Sequence, residues 1–212
     1  MNETQLKSII TQTAANPYIK WNDRSLLNLI EKDPEYSVYI FNKLCEGLPR
    51  HGYYSLLHNL TSSIDGVVVE VGNREGLGIL SIYDALKPAS VFYTLDIVDD
   101  NRFVNNKIKN DPRVHIMNDF NSLDWVRISK TFDKKSISMI FFDTLHTYEQ
   151  ILAEYHFWFP YLKDDCVMLI DDIHPVTPDR TKLRFHQELD YKHKYDVTEW
   201  AHTDTGFGVY LK

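Results

Sequence analysis

Five residues in two short motifs could carry chemistry: Asp143 and His146 in Phe142-Asp143-Thr144-Leu145-His146, and the acids and histidine of Asp171-Asp172-Ile173-His174. Carboxylates brought together repel and take protons back unless a cation sits among them. Oxygen donors without a cysteine select a hard ion, Mg²⁺ first and Mn²⁺ or Ca²⁺ next, over Zn²⁺. Asp143, Asp171 and Asp172 are therefore the candidate metal ligands. A divalent ion on an alcohol oxygen lowers the alcohol's pKa. His146, whose ring ordinarily titrates near ~6.5, is the candidate base for the proton released, with His174 as its competitor. Asp143 as a helix cap and His146 as a solvated first-turn residue are the plain alternatives. Neither explains two acids in succession.

For these motifs to meet, both must end parallel strands of one sheet, because parallel strands present their carboxyl ends on one rim. The chain supports this. From Gly66 onward, short apolar runs alternate with helix-length segments, the pattern of a parallel sheet with crossover helices. Strands are expected at 67–71, 91–97, 114–118, 136–143 and 166–172, with helices at 77–87, 101–109, 122–131 and 147–162. A polar helix over 181–192 leads into Tyr195–Trp200, a turn, and Phe207–Lys212, read as a terminal antiparallel hairpin. The fold expected is a doubly wound, mostly parallel seven-stranded α/β sheet. Residues 1–60 carry helical punctuation and are expected to form a cap on the same domain, with 61–212 as the remainder.

The first strand runs through Glu70 into a glycine-rich turn, Gly72-Asn73-Arg74-Glu75-Gly76-Leu77-Gly78, and then into a helix. Such a turn lets a ligand approach the backbone above a helix N-terminus. The next strand ends in Asp96, placed to grip ribose hydroxyls. The third ends in Asn118-Asp119-Phe120, which offers a polar contact and a wall to a base. Asp119 as the cap of the following helix is the alternative. The glycine order is Gly-xxx-Gly-x-Gly, not the Gly-x-Gly-x-x-Gly of dinucleotide sites, which favours a ligand without phosphates.

Taken together, the glutamate-led glycine turn, Asp96, Asp119 and the closing hairpin resemble class I S-adenosylmethionine-dependent methyltransferases over roughly residues 50–212. The resemblance implies that Glu70, Gly72, Asn73, Gly76 and Gly78 hold the amino acid end of that cofactor. Asp96 would hold its ribose, and Asp119 with Phe120 would flank its adenine. A narrower resemblance covers residues 139–174. It is to metal-dependent O-methyltransferases grouped with the cephalosporin-hydroxylase-like and macrolide-sugar methyltransferases. It implies metal ligation by Asp143, Asp171 and Asp172, proton removal by His146, and a small-molecule acceptor such as a sugar or natural product. Lys163-Asp164-Asp165 stands where that group carries Gly-Gly, away from the chemistry.

Composition narrows the partners. Of 212 residues, 23 are Lys or Arg and 30 are Asp or Glu, a net charge of −7, which disfavours nucleic acid and anionic membranes. No apolar run approaches the ~20 residues of a membrane span, and MNETQLKSII lacks a leader pattern, so a cytoplasmic protein is expected. Homo-oligomerisation is left open. The two cysteines, Cys45 and Cys166, sit in apolar contexts that need no disulfide. Pro175, Pro178, Arg180 and Arg184 are expected in a wall or lid over the acceptor, whereas Trp21, Tyr53 and Tyr54 are expected to be packing residues. The other function classes consistent with the residues are a nicotinamide-dependent oxidoreductase and a non-catalytic nucleoside-binding protein. A dioxygenase fits poorly, since its iron takes two histidines and one carboxylate.

Overall fold

The computed structural model describes residues 1–19, 21, 52–100, 104–174, 177–178, 181–201 and 205–212. Among them, strands β1 (Val67–Val71), β2 (Val91–Leu95), β3 (Val114–Met117), β4 (Ile137–Phe142), β5 (Leu162–Asp171), β6 (His193–Asp196) and β7 (Phe207–Leu211) form one sheet in the order β3-β2-β1-β4-β5-β7-β6. Pairings from β3 through β5 are parallel, and β7 runs antiparallel to both β5 and β6. The strand order reverses between β1 and β4, the place where an open α/β sheet leaves a crevice for ligand.

The helices among the described residues are α1 (Glu3–Ala15), α2 (Gly52–Ser63), α3 (Leu77–Ala85), α4 (Asn106–Lys109), α5 (Trp125–Thr131), α6 (Tyr148–Trp158), α7 (Lys182–Glu188) and α8 (Thr198–Ala201). Because successive strand residues point to opposite faces, the apolar runs feed two cores. Val68, Phe141, Leu169 and Val209 pack with α2 and α3 on one face. Val69, Phe142, Ile170 and Trp158 pack with α5 and α6 on the other. All six residues of β4 are buried, which explains why its sequence is a continuous apolar run. At the other end of the chain, α1 caps itself with Asn2 and Gln5 and is tied to α2 by Asn59 donating to Thr13. The N-terminal ammonium reaches Asp165 at 2.6 Å.

Several boundaries differ from expectation for local reasons. The helix expected at 122–131 begins at Trp125 because Asp124, not Asp119, caps it by accepting from the Arg127 N–H. The one expected at 147–162 stops at Trp158, and Pro160 follows in a 3₁₀ turn, Phe159–Tyr161. Lys163-Asp164-Asp165 belongs to β5, yet Ile137 pairs with Leu162 and Met139 with Val167, so this stretch bulges out of the ladder. The terminal strands β6 and β7 pair antiparallel as the expected hairpin, with a short helix in the connection. Asp196 accepts from the Thr198 N–H and starts α8, which places Trp200 in a helix. Cys166 is a buried free thiol. The expected helices between Asp23 and Leu48, Cys45, Asn101–Phe103, Pro175 and Arg180 lie outside the described residues.

Candidate active site

Two cavities meet at the strand-order reversal. The larger, about 510 Å³, is lined by Asp96, Phe120, Asn121, Thr144 and Gln150 among others. The smaller, about 240 Å³, is lined by Glu70, Asn73, Gly78, Tyr53, Asp171 and Asp172 among others. Gly72, Arg74, Asp143 and His146 border both. A more open hollow of about 710 Å³ lies along β3 beside Tyr93 and His115, and of the expected site residues it includes Asn118 alone.

On the β1–β2 side the acids shape backbone. Asp96, one residue past β2, accepts from the Asn73 and Arg74 N–H groups at 2.9 and 2.8 Å through Oδ2, and from Val98 N–H at 2.9 Å through Oδ1. Its carboxylate thus ties the glycine turn to the second strand while bordering the larger cavity. Gly72 has φ +90°, and a Cβ there would lie 1.9 Å from the Asp143 carbonyl oxygen. Only glycine allows this approach of the β1 and β4 ends. A Cβ on Gly78 would meet Glu70 Oε1 at 1.9 Å, so its bare backbone makes room for that carboxyl. Glu70 is buried and accepts from Thr94 at 2.8 Å; burial pushes its carboxyl up to about 8. Gly76 supplies the left-handed residue before α3. Asn73 is 4% exposed, and neither atom of its carboxamide has a hydrogen-bond partner among the described residues. An orphaned donor and acceptor bordering a cavity are what a polar ligand would satisfy.

The β3 end matches expectation only in part. Phe120 is buried and lines the larger cavity, with the Arg127 guanidinium 4.2 Å from its ring centre. Asp119 is exposed, has φ 51° and does not line that cavity; its carbonyl accepts from Arg127. Asn121 and Ser122 line the wall in its place.

On the β4–β5 side the acids face one another. Asp143, His146 and Asp172 each offer a ligand atom, and these atoms lie within 4.8 Å of one another. His146 Nε2 is 2.8 Å from Asp172 Oδ2. Burial first, then the charge of Asp171, pushes the Asp143 carboxyl up to about 7, against the pull of Lys182 and His146. Burial also opposes ionisation of Asp172, but hydrogen bonds from His146 and Thr205 hold it well below the usual carboxylate range. Asp171 does not join the three. Its Oδ1 accepts the Asp172 N–H at 2.9 Å, and the cluster expected as three aspartates is instead two aspartates and a histidine. His174 is turned away from it, pairing with Asp196 at 2.7 Å. Arg184, expected to face an acceptor, pairs with Glu188 and lies over the Tyr148 ring.

Three contributors were not singled out from the sequence. Tyr53 and Tyr54, read as packing residues, line the smaller cavity. Lys182, fully buried, bonds the Asp171 carbonyl. Nothing in Thr181-Lys182-Leu183-Arg184 distinguishes a buried lysine from an exposed one.

The sheet order, the single reversed strand β7 and the glycine turn at the reversal are those of the class I methyltransferase fold. Residues 69–173 match the family model described as a methyltransferase domain. Solved structures agree in fold. A Corynebacterium glutamicum protein is 16% identical, with 90% of each chain covered and a TM-score of 0.63. The O-methyltransferase TomG from Streptomyces achromogenes, involved in tomaymycin synthesis and solved in complex with SAM, is 15% identical, with 100% of this chain and 98% of that one covered and a TM-score of 0.63. A putative caffeoyl-CoA O-methyltransferase from Staphylococcus aureus is 14% identical, with 90% and 100% covered and a TM-score of 0.60. No curated protein matches in sequence. Among the described residues no helix is long and apolar enough to cross a membrane.

Proposed function

We propose that the protein transfers a methyl group from S-adenosylmethionine to a hydroxyl of a small molecule, such as a sugar or natural product, with help from a divalent cation. The observation that carries this reading is the placement of Asp143 and His146 on the border shared by the two cavities, with His146 held by Asp172.

The cofactor fits the residues present. The larger cavity offers Asp96 for ribose hydroxyls, and Phe120 and Asn121 for a base. The orphaned Asn73 carboxamide in the smaller one suits a charged amino acid group. Bound S-adenosylmethionine supplies an electrophilic methyl, so the chain's own task is alignment, exclusion of water and proton removal. Asp172 orients the His146 ring, and a hydroxyl presented at the shared border is within that ring's reach as a general base. Asp143, poised near neutrality, adds a second acceptor for the proton. Asp143 and Asp172 would hold a hard divalent ion, Mg²⁺ or Mn²⁺, which supplies acidification of the bound hydroxyl. Because the His146 donor atom lies within the same 4.8 Å set, a second reading gives the imidazole to the ion as a ligand and leaves the base to Asp143.

Calorimetric titration with S-adenosylmethionine, run with Mg²⁺ and again with EDTA, tests the proposal when followed by mass spectrometry of an acceptor library. Expected are cofactor binding in both conditions and methylated alcohols only with the metal. Methylation undiminished by EDTA removes the cation. Absence of cofactor binding removes the whole reading. Retention of a pH-dependent rate in His146→Ala favours the second assignment of the imidazole.

A further inference from the structure

The acidic rim contains a positive charge that proton removal and methyl transfer do not use. Lys182, the first residue of α7, is 0% exposed, and its Nζ donates to the Asp171 carbonyl at 3.0 Å. A buried ammonium is costly unless carboxylates or carbonyls compensate it, so its position needs a reason. The preceding residue supplies the geometry. Thr181 N–H donates to the His146 carbonyl at 2.9 Å, and its Oγ1 accepts the Tyr148 N–H at 2.7 Å. The start of α7 therefore grips the β4 loop through Thr181 and the β5 end through Lys182, joining the two segments whose acids face one another. The lysine charge acts on both Asp143 and Asp172, and at Asp143 it is the strongest influence favouring the ionised form.

We propose that Lys182 is a resident counter-cation of the acidic rim, which keeps Asp143 and Asp172 assembled before any metal arrives and limits how tightly a divalent ion then binds. The second half of this inference rests on the metal-assisted reading above; the first half does not. A lysine in this place fills part of the electrostatic role of a metal, so the rim needs no ion to stay folded and holds one weakly enough to exchange.

A double-mutant cycle in EDTA tests the first half, using thermal unfolding of the full chain as wild type, Lys182→Gln, Asp143→Asn and the pair. Glutamine removes the charge and keeps a donor. Lys182→Gln is expected to lower the melting temperature, and the pair is expected to regain at least half of that loss, with Lys182→Arg close to wild type. Additive losses overturn the counter-cation role. If Lys182→Gln does not fold, a folded double variant supports the proposal; failure of the double alongside a folded Asp143→Asn overturns it. Mn²⁺ titration by calorimetry tests the second half. Lys182→Gln is expected to bind Mn²⁺ roughly tenfold or more tightly than wild type, since one opposing charge has gone from the site. Equal affinity overturns that half. If neither protein binds Mn²⁺, the metal reading of the rim fails, and the EDTA cycle still decides the role of Lys182.

Discussion

The two halves of the rim hold their carboxylates by different means. On the β1–β2 side Asp96 is satisfied by three backbone N–H groups and Glu70 by Thr94, so the acids there serve the shape of a turn. On the β4–β5 side Asp172 is held by the side chains of His146 and Thr205, and Asp143 feels the charges of Lys182 and His146. A backbone-held acid fixes geometry and gives little chemical freedom. A side-chain-held cluster stores charge that a reaction can draw on.

Substitutions sharpen this contrast. Gly72→Ala strikes the seam between the halves, where a Cβ would collide with the Asp143 carbonyl at a positive φ; a stability loss of more than about 3 kcal/mol is expected in denaturant unfolding. His146→Ala should leave cofactor affinity nearly unchanged while lowering kcat by roughly 100-fold or more. Equal losses in affinity and kcat would mean that the β4–β5 half shapes the cofactor site as well. Asp96→Ala should cost about 2 kcal/mol of stability by stranding the turn's N–H groups, and weaken S-adenosylmethionine in calorimetry.

Glu70 gives a pH test. Its folded carboxyl titrates near about 8 and its unfolded one near 4.5. Between these values the native state holds a proton that the unfolded state has lost, so the Glu70 contribution to stability is complete below 4.5 and declines as pH rises toward 8. Glu70→Gln should remove up to about 1.4 kcal/mol per pH unit of that decline across the window, read from urea melts at several pH values. The smallest effect is expected for Arg184→Ala. Its partners are the exposed Glu188 and the Tyr148 ring, so acceptor kinetics should not change. A raised KM for an anionic acceptor would place α7 in the substrate wall after all.

The strands from β1 to β4 were legible within one or two residues; for β4, buried throughout, the reason is that a strand covered on both faces reads as a continuous apolar run. Legibility fell where a side chain's direction mattered. Asp171 and Asp172 look equivalent in sequence, yet Asp171 ends the strand while Asp172 has turned to φ 60°, so only Asp172 joins Asp143 and His146 in the 4.8 Å set, and Asp171 acts on Asp143 through its charge. Asp119 looked like Asp96, but the turn it occupies leaves its side chain in solvent. Tyr53 and Tyr54 were assigned to packing because an aromatic on an apolar helix face usually is, and they do pack while also lining a cavity.

The order of apolar and polar segments by itself determined the alternating sheet, the glycine turn at its reversal and the presence of acids at four strand ends, since these follow from periodicity and local backbone geometry. Tertiary structure alone decided which acids meet, that His146 pairs with Asp172, and that a lysine 39 positions beyond Asp143 lies buried beneath them. Electrostatic partnership depends on distance through space, and a linear pattern of residues carries no record of that distance until the loops have closed.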